Sequence, residues 1–158
     1  MDRKRLFPVV LGLITCLAVV IGIVVWESNK YTKIDEWSSG LTADGFQWAE
    51  ASSGYAGEKV SYSLNGEDFE ILSELLHEVT EKNCTRKYPR DSERIDYRLS
   101  FEYEGKLWLF HFLSNGMIDI NFEDLETAAY YGCDDSQLYV NSPDLYNYIL
   151  DTVNSKAE

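Results

Sequence analysis

Residues Ile95 to Phe122, IDYRLSFEYEGKLWLFHFLSNGMIDINF, decide the fold of this chain. Ile95, Tyr97, Leu99, Phe101 and Tyr103 alternate with Asp96, Arg98, Ser100 and Glu102. That period of two belongs to a strand with one face on a core. A tight turn at Glu104-Gly105 sets Phe101 opposite Trp108, Leu99 opposite Phe110 and Tyr97 opposite Phe112. The next turn, Ser114-Asn115-Gly116, admits two registers. A two-residue loop pairs Phe110 with Asn121 and Phe112 with Asp119. A three-residue loop, with Gly116 in the left-handed conformation, pairs Trp108 with Phe122, Phe110 with Ile120 and Phe112 with Ile118. A one-residue slip turns a whole apolar set to the other face, so the register that keeps the set together is expected. The predicted meander presents Leu99, Phe101, Trp108, Phe110, Phe112, Ile118, Ile120 and Phe122 to a helix.

The same register defines the opposite face. Leu107, Leu109, His111 and Leu113 run down the middle strand there, between Arg98, Ser100 and Glu102 on one side and Met117, Asp119 and Asn121 on the other. The centre of that face is too apolar for a fully solvated sheet. A cover is expected: the 123–135 segment, a second protein or a ligand. Leu109, His111 and Leu113 are therefore the candidate binding strip. His111 has Arg98 and Asp119 beside it on adjacent strands, and an Asp–His pair is a unit that enzymes use for acid–base work. A cross-strand polar ladder gives the same pattern without chemistry. His77 falls on a solvated helix face.

Moving towards the N-terminus, 82–94 is charged, contains Pro89 and reads as a loop. Before it, Phe69, Leu72, Leu75, Leu76 and Val79 recur at helical spacing, with Asn65 as the cap and Asp68 suiting the positive helix end. Residues 46–51 and 59–64 read as strands, the second with Val60, Tyr62 and Leu64 on one face, and 27–45 as a juxtamembrane spacer broken at Ser38-Ser39-Gly40 and Asp44-Gly45. Towards the C-terminus, 123–135 is acidic and reads as irregular, 137–140 as a short strand. Ser142-Pro143-Asp144 reads as a helix start, a cap followed by proline and an acid. Leu145, Ile149 and Val153 supply that helix's apolar face.

The remaining signal is LFPVVLGLITCLAVVIGIVVW, residues 6–26, free of charge and preceded by Arg3-Lys4-Arg5. As a helix rising ~1.5 Å per residue it is long enough to cross a hydrocarbon layer of ~30 Å. A cleaved signal has a shorter apolar region ending in small residues, whereas this run ends in Val24-Val25-Trp26. Leu13-Ile14-Thr15-Cys16 loosely resembles a lipoprotein cleavage site, but Thr15 is the wrong residue type and the apolar run continues past Cys16. An uncleaved anchor is expected. The basic cluster keeps residues 1–5 in the cytoplasm and sends the C-terminal bulk out of it, with Trp26 at the outer interface. Ala18 and Gly22 form a small-xxx-small pair, a spacing that chance supplies in a segment so rich in small residues.

Composition narrows the partners. The chain carries 14 Lys+Arg against 27 Asp+Glu, a net charge of −13. That argues against nucleic acid and anionic headgroups as partners of the outer domain, since both require positive charge. Glu123, Asp124 and Glu126, with Asp134 and Asp135, are oxygen ligands of the kind calcium takes, without the spacing of an EF-hand. No zinc spacing, phosphate-cradling glycine loop or hydrolase serine elbow occurs, so no cofactor and no metal is expected. Cys84 and Cys133 are the only cysteines beyond the apolar run, a pair that an oxidising compartment would bridge. Asn83-Cys84-Thr85 matches the N-glycosylation sequon. Trp37, Trp48, Tyr55, Tyr130 and Tyr131 are aromatics that the strand and helix patterns do not absorb, and such side chains anchor interfaces or stack on sugars.

The expected molecule is an α+β domain over 46–154, followed by a tail at 155–158. It is an antiparallel sheet of four to six strands with two amphipathic helices on one face, tethered by a single transmembrane helix. The expected role is a binding or accessory module that contacts a partner protein or ligand outside the membrane. Two alternatives stay open: a small hydrolase or transferase using Asp119 and His111, and an immunity or inhibitor protein whose acidity suits a basic target.

Overall fold

A computed structural model describes residues 3–28, 32–53, 60–85, 94–133 and 137–155. The chain divides into two compact units, Met1–Lys30 and Tyr31–Glu158. The first is helix α1, Arg3–Ser28. Its described side chains, 12–25, are all exposed and carry no charge. Among the described residues, no helix is long and apolar enough to cross a membrane.

The second unit is α+β, with one seven-stranded antiparallel sheet. Its elements are α2 (Thr32–Gly40), β1 (Phe46–Ser53), β2 (Ser61–Leu64), α3 (Gly66–Leu76), β3 (Cys84–Thr85), β4 (Ile95–Tyr103), β5 (Lys106–Leu113), β6 (Ile118–Asn121), α4 (Leu125–Tyr130), β7 (Gln137–Val140) and α5 (Pro143–Ser155). The strands lie in the order β2-β1-β4-β5-β6-β7-β3.

The central meander has the expected register. Leu99 faces Phe110 and Phe101 faces Trp108 across β4 and β5, while Phe110 faces Ile120 and Phe112 faces Ile118 across β5 and β6. Glu104 and Gly105 both take positive φ, 48° and 76°, as a two-residue hairpin turn with the right-handed twist of its strands requires. Gly116 is left-handed at 83°, which selects the three-residue loop. All eight predicted meander core residues are buried, and Phe101, Phe110 and Phe112 are fully so.

Among the described residues, the helices pack on one face of the sheet. Leu72 and Leu76 of α3 and Leu145, Ile149 and Val153 of α5 are in the core, as their spacing predicts. Asn65 N donates to Asp68 Oδ2 at 2.9 Å, fixing the start of α3. The cap of α5 differs from expectation. Ser142 Oγ is buried with no hydrogen-bond partner among the described residues, so the proline and the acid mark this start without a serine cap bond.

Four further features depart from the sequence reading. The sheet has seven strands rather than four to six, because β3, two residues long, adds an edge beside β7 within the segment read as loop. Within the 27–45 stretch read as a spacer, residues 32–45 join the fold: α2 buries Ile34, and Leu41 follows it into the core. Residues 43–45 form a 3-10 turn in which Gly45 lies against Tyr103. The 123–135 segment contains α4, capped by Asp124, whose Oδ1 accepts from Thr127 N at 2.7 Å. The helices on the sheet thus include α2 and the turn after α4 as well as α3 and α5, since Trp37 and Tyr131 both pack on Trp108. Pro89, Tyr55, Asp134 and Asp135 lie outside the described residues.

Candidate functional site

The face opposite the described helices carries a polar row with one residue from every strand. Register pairs run Ser61–Ser52–Arg98–His111–Asp119–Tyr139–Thr85. Arg98, His111 and Asp119 are thus brought side by side, as the hairpin register requires. His111 Nδ1 lies 3.6 Å from Asp119 Oδ2, too long for a hydrogen bond but close enough for charge to matter. Gln137 Nε2 donates to the same oxygen at 3.3 Å, and Tyr139 OH donates to Gln137 Oε1 at 2.9 Å. Asp119 is 5% exposed, and its Oδ1 is sealed from solvent without a partner among the described residues. A buried polar atom left unpaired costs ~1–3 kcal/mol, so this oxygen is the point of stress in the row.

The proposed binding strip is not open. His111 and Leu113 are buried and Leu109 is half-buried; Leu107, at the hairpin end, is 52% exposed. The turn after α4 packs instead on Trp108 and Phe122, on the helix face.

A second site lies at the β4–β5 hairpin end of the sheet, between α2 and α4. Trp37 of α2 stacks on Trp108 with ring centroids 4.1 Å apart, and Tyr131 meets Trp108 edge-on at 5.4 Å. Tyr103 closes the inner end, its hydroxyl accepting from Thr42 N at 3.1 Å. These rings enclose a groove of about 280 Å³, with Lys33, Glu36, Glu104, Lys106 and Tyr130 on its rim. Two smaller depressions share Lys106 with it, one reaching Asp124 and Glu126, the other Leu107 and Glu123. Small-ligand pockets start near ~300 Å³, so the groove suits a side chain or a single ring rather than a large cofactor.

Tyr130 is 59% exposed, and Lys33 Nζ sits 5.8 Å from its ring centroid while paired with Glu36. The Glu36 hydrogen bond raises the Lys33 pKa, against an opposing effect of burial. Burial pushes the Tyr131 hydroxyl up to about 12. Trp37 Nε1 is sealed with no partner among the described residues. Of the unabsorbed aromatics, Trp37, Tyr130 and Tyr131 therefore meet in one place. Trp48 lies on β1, where its Nε1 donates to Glu102 at 2.8 Å.

The other candidates have structural employment. His77 Nε2 is 2.8 Å from Leu41 O, tying the end of α3 to the chain after α2. Asn83 Nδ2 donates to Glu78 O at 2.7 Å and its Oδ1 accepts from Thr80 N at 2.9 Å, so the sequon amide is committed within the fold. Both oxygens of Asp124 serve Thr127, which lowers the Asp124 pKa. Among the described residues, no three His, Cys, Asp or Glu side chains are grouped to hold a metal. Cys84 and Cys133 are not bridged to each other here; Cys84 is half-buried on the edge strand and Cys133 lies in the core. Burial, then the neighbouring Cys133, raises the Cys84 thiol to about 12.

No family model, no curated protein and no solved structure matches this chain.

Proposed function

We propose that this chain is a membrane-anchored extracytoplasmic binding or accessory module, and that it meets its partner at the aromatic groove. The anchor part rests on the charge-free run 6–26 behind Arg3-Lys4-Arg5, and on the exposed, wholly uncharged side chains 12–25 of α1. A helix apolar on all sides needs an apolar surrounding. The binding part rests on one observation: Tyr130 stands open beside a groove floored by the Trp37–Trp108 stack. Solvent-facing aromatics beside a desolvated floor are the usual anchors of recognition.

Photo-crosslinking in intact cells tests this, with a reactive residue at position 130 and a control at Glu67 on the exposed face of α3. Capture of one partner from 130 and none from 67 is expected, with the protein in the membrane fraction and its C-terminus open to external protease. A soluble protein, or equal capture from both positions, overturns the reading.

Outside the cytoplasm Cys84 and Cys133 become a disulfide: each thiol gives up a proton and an electron to an oxidised dithiol exchange partner. The bridge closes a loop of about 50 residues and adds ~3–4 kcal/mol. Two free thiols in protein isolated from the envelope under alkylating conditions would remove it.

The orphaned Asp119 Oδ1 beside His111 favours a second reading, a hydrolase or transferase using this pair. Turnover abolished in both H111Q and D119N, with the fold intact, is its signature.

A further inference from the structure

We propose that the groove takes the ammonium or guanidinium group of a lysine or arginine on a basic partner protein. This rests on the groove reading above and names its ligand. The chain already holds such a group there. Lys33 Nζ lies over the open Tyr130 ring and against the Glu36 carboxylate, an aryl face and an anion on one cation. An ammonium over an aromatic face is attracted by the ring quadrupole, and the stacked Trp37 and Trp108 floor the groove on its inner side.

Charge points the same way. Glu36 and Glu104 line the groove, and Glu123, Asp124 and Glu126 line the two depressions that adjoin it, against Lys33 and Lys106. Glu104 is fixed at the hairpin tip by a backbone that any glycine would enter more easily. The whole chain at −13 draws cations from a distance and repels anions. Lys33 is then a resident that the incoming cation displaces from Tyr130 and Glu36. Displacement of a surface pair is cheap, because an exposed salt bridge of this kind holds little energy.

The test is a titration of the full-length chain in zwitterionic nanodiscs with an acetylated, amidated tetralysine peptide. Tetraglutamate and neutral chitotetraose serve as comparison probes. Tetralysine is expected to bind, with affinity falling at least ~5-fold in Y130A and E36Q and rising ~3-fold in K33A. E67Q removes the same charge from the exposed face of α3 and is expected to change nothing beyond the weak long-range attraction. Y130F, which keeps the ring, retains binding and guards against a folding artefact in Y130A. Equal losses in E36Q and E67Q mean diffuse attraction to an acidic protein and overturn the proposal. So does Tyr130-dependent binding of chitotetraose or tetraglutamate in place of tetralysine. Crosslinking from position 130 is read independently, so a captured partner without cation dependence removes the ligand class and leaves the binding module standing.

Discussion

The two faces of the sheet are made by the same strands and end with opposite chemistry. On one, Phe101, Phe110 and Phe112 are fully buried beneath helices that arrive from both ends of the domain. On the other, Arg98, His111, Asp119 and Tyr139 stand in a line across neighbouring strands, and no described helix covers them. The first face is held by area removed from water, which tolerates neighbours of many shapes. The second depends on polar partners, and Asp119 Oδ1 is sealed there without a hydrogen-bond partner among the described residues. Truncation should therefore hurt the first face, while charge removal should help the second.

Phe110→Ala gives the largest effect. The residue is fully buried between Trp37 and Phe101, and emptying such a site costs ~3–5 kcal/mol, a large share of the ~5–15 kcal/mol that holds a domain together. Urea denaturation measures it, and a loss below ~1 kcal/mol would mean the helix face is loosely packed. Gly45→Ala comes next. A Cβ at this position would fall 2.3 Å from the Tyr103 ring, so the ring must leave the Thr42 amide it serves. A cost of ~1–3 kcal/mol is expected, with Gly45→Ala in a Tyr103→Leu background costing measurably less.

Asp119→Asn tests the polar face and carries the opposite sign. It keeps the shape and discharges a buried carboxylate, so a gain of ~1 kcal/mol is expected. A loss above ~2 kcal/mol would show that the carboxylate is well paired in solution, and the face would then be as specific as the one beneath the helices. The smallest effect is alkaline. Tyr131 and Tyr148 are both raised to about 12, by burial foremost, and Asp68 adds to the shift at Tyr148. The native state thus holds these phenolic protons more tightly than the unfolded chain does at ~10. Stability from this source is full below pH ~10 and drains away as pH rises towards ~12. Phenolate absorbance against pH, folded and in urea, checks it; coincident curves would contradict the burial.

The meander was legible because alternation and turn chemistry agree: Glu104-Gly105 and Ser114-Asn115-Gly116 leave one register that keeps Phe110 and Phe112 among apolar partners. The His111–Asp119 neighbourhood came with it, since register alone places them. Helix α2 was not legible. Only Ile34, Trp37 and Leu41 carry its period, and Ser38-Ser39-Gly40, read as a breaker, is its last turn. Strand β3 is too short for any period, and α4, six residues long, shows itself only in the Asp124 and Thr127 spacing of its cap. The groove escaped for a different reason. Trp37, Trp108 and Tyr130 come from three distant segments, and no local pattern says that they meet.

The strand order has a consequence for synthesis. The first half of the domain supplies both borders of the sheet, β2-β1 at one side and β3 at the other, while the second half supplies everything between them. A chain made from its N-terminus therefore emerges with β1 waiting for β4 and β3 waiting for β7. The 95–122 meander, whose contacts are local, closes quickly on its own terms. The earlier segment can only fold around it afterwards. Until about residue 140 has been delivered, β1, β2 and β3 are an unfinished rim with exposed strand edges, the state in which a chaperone has most to offer.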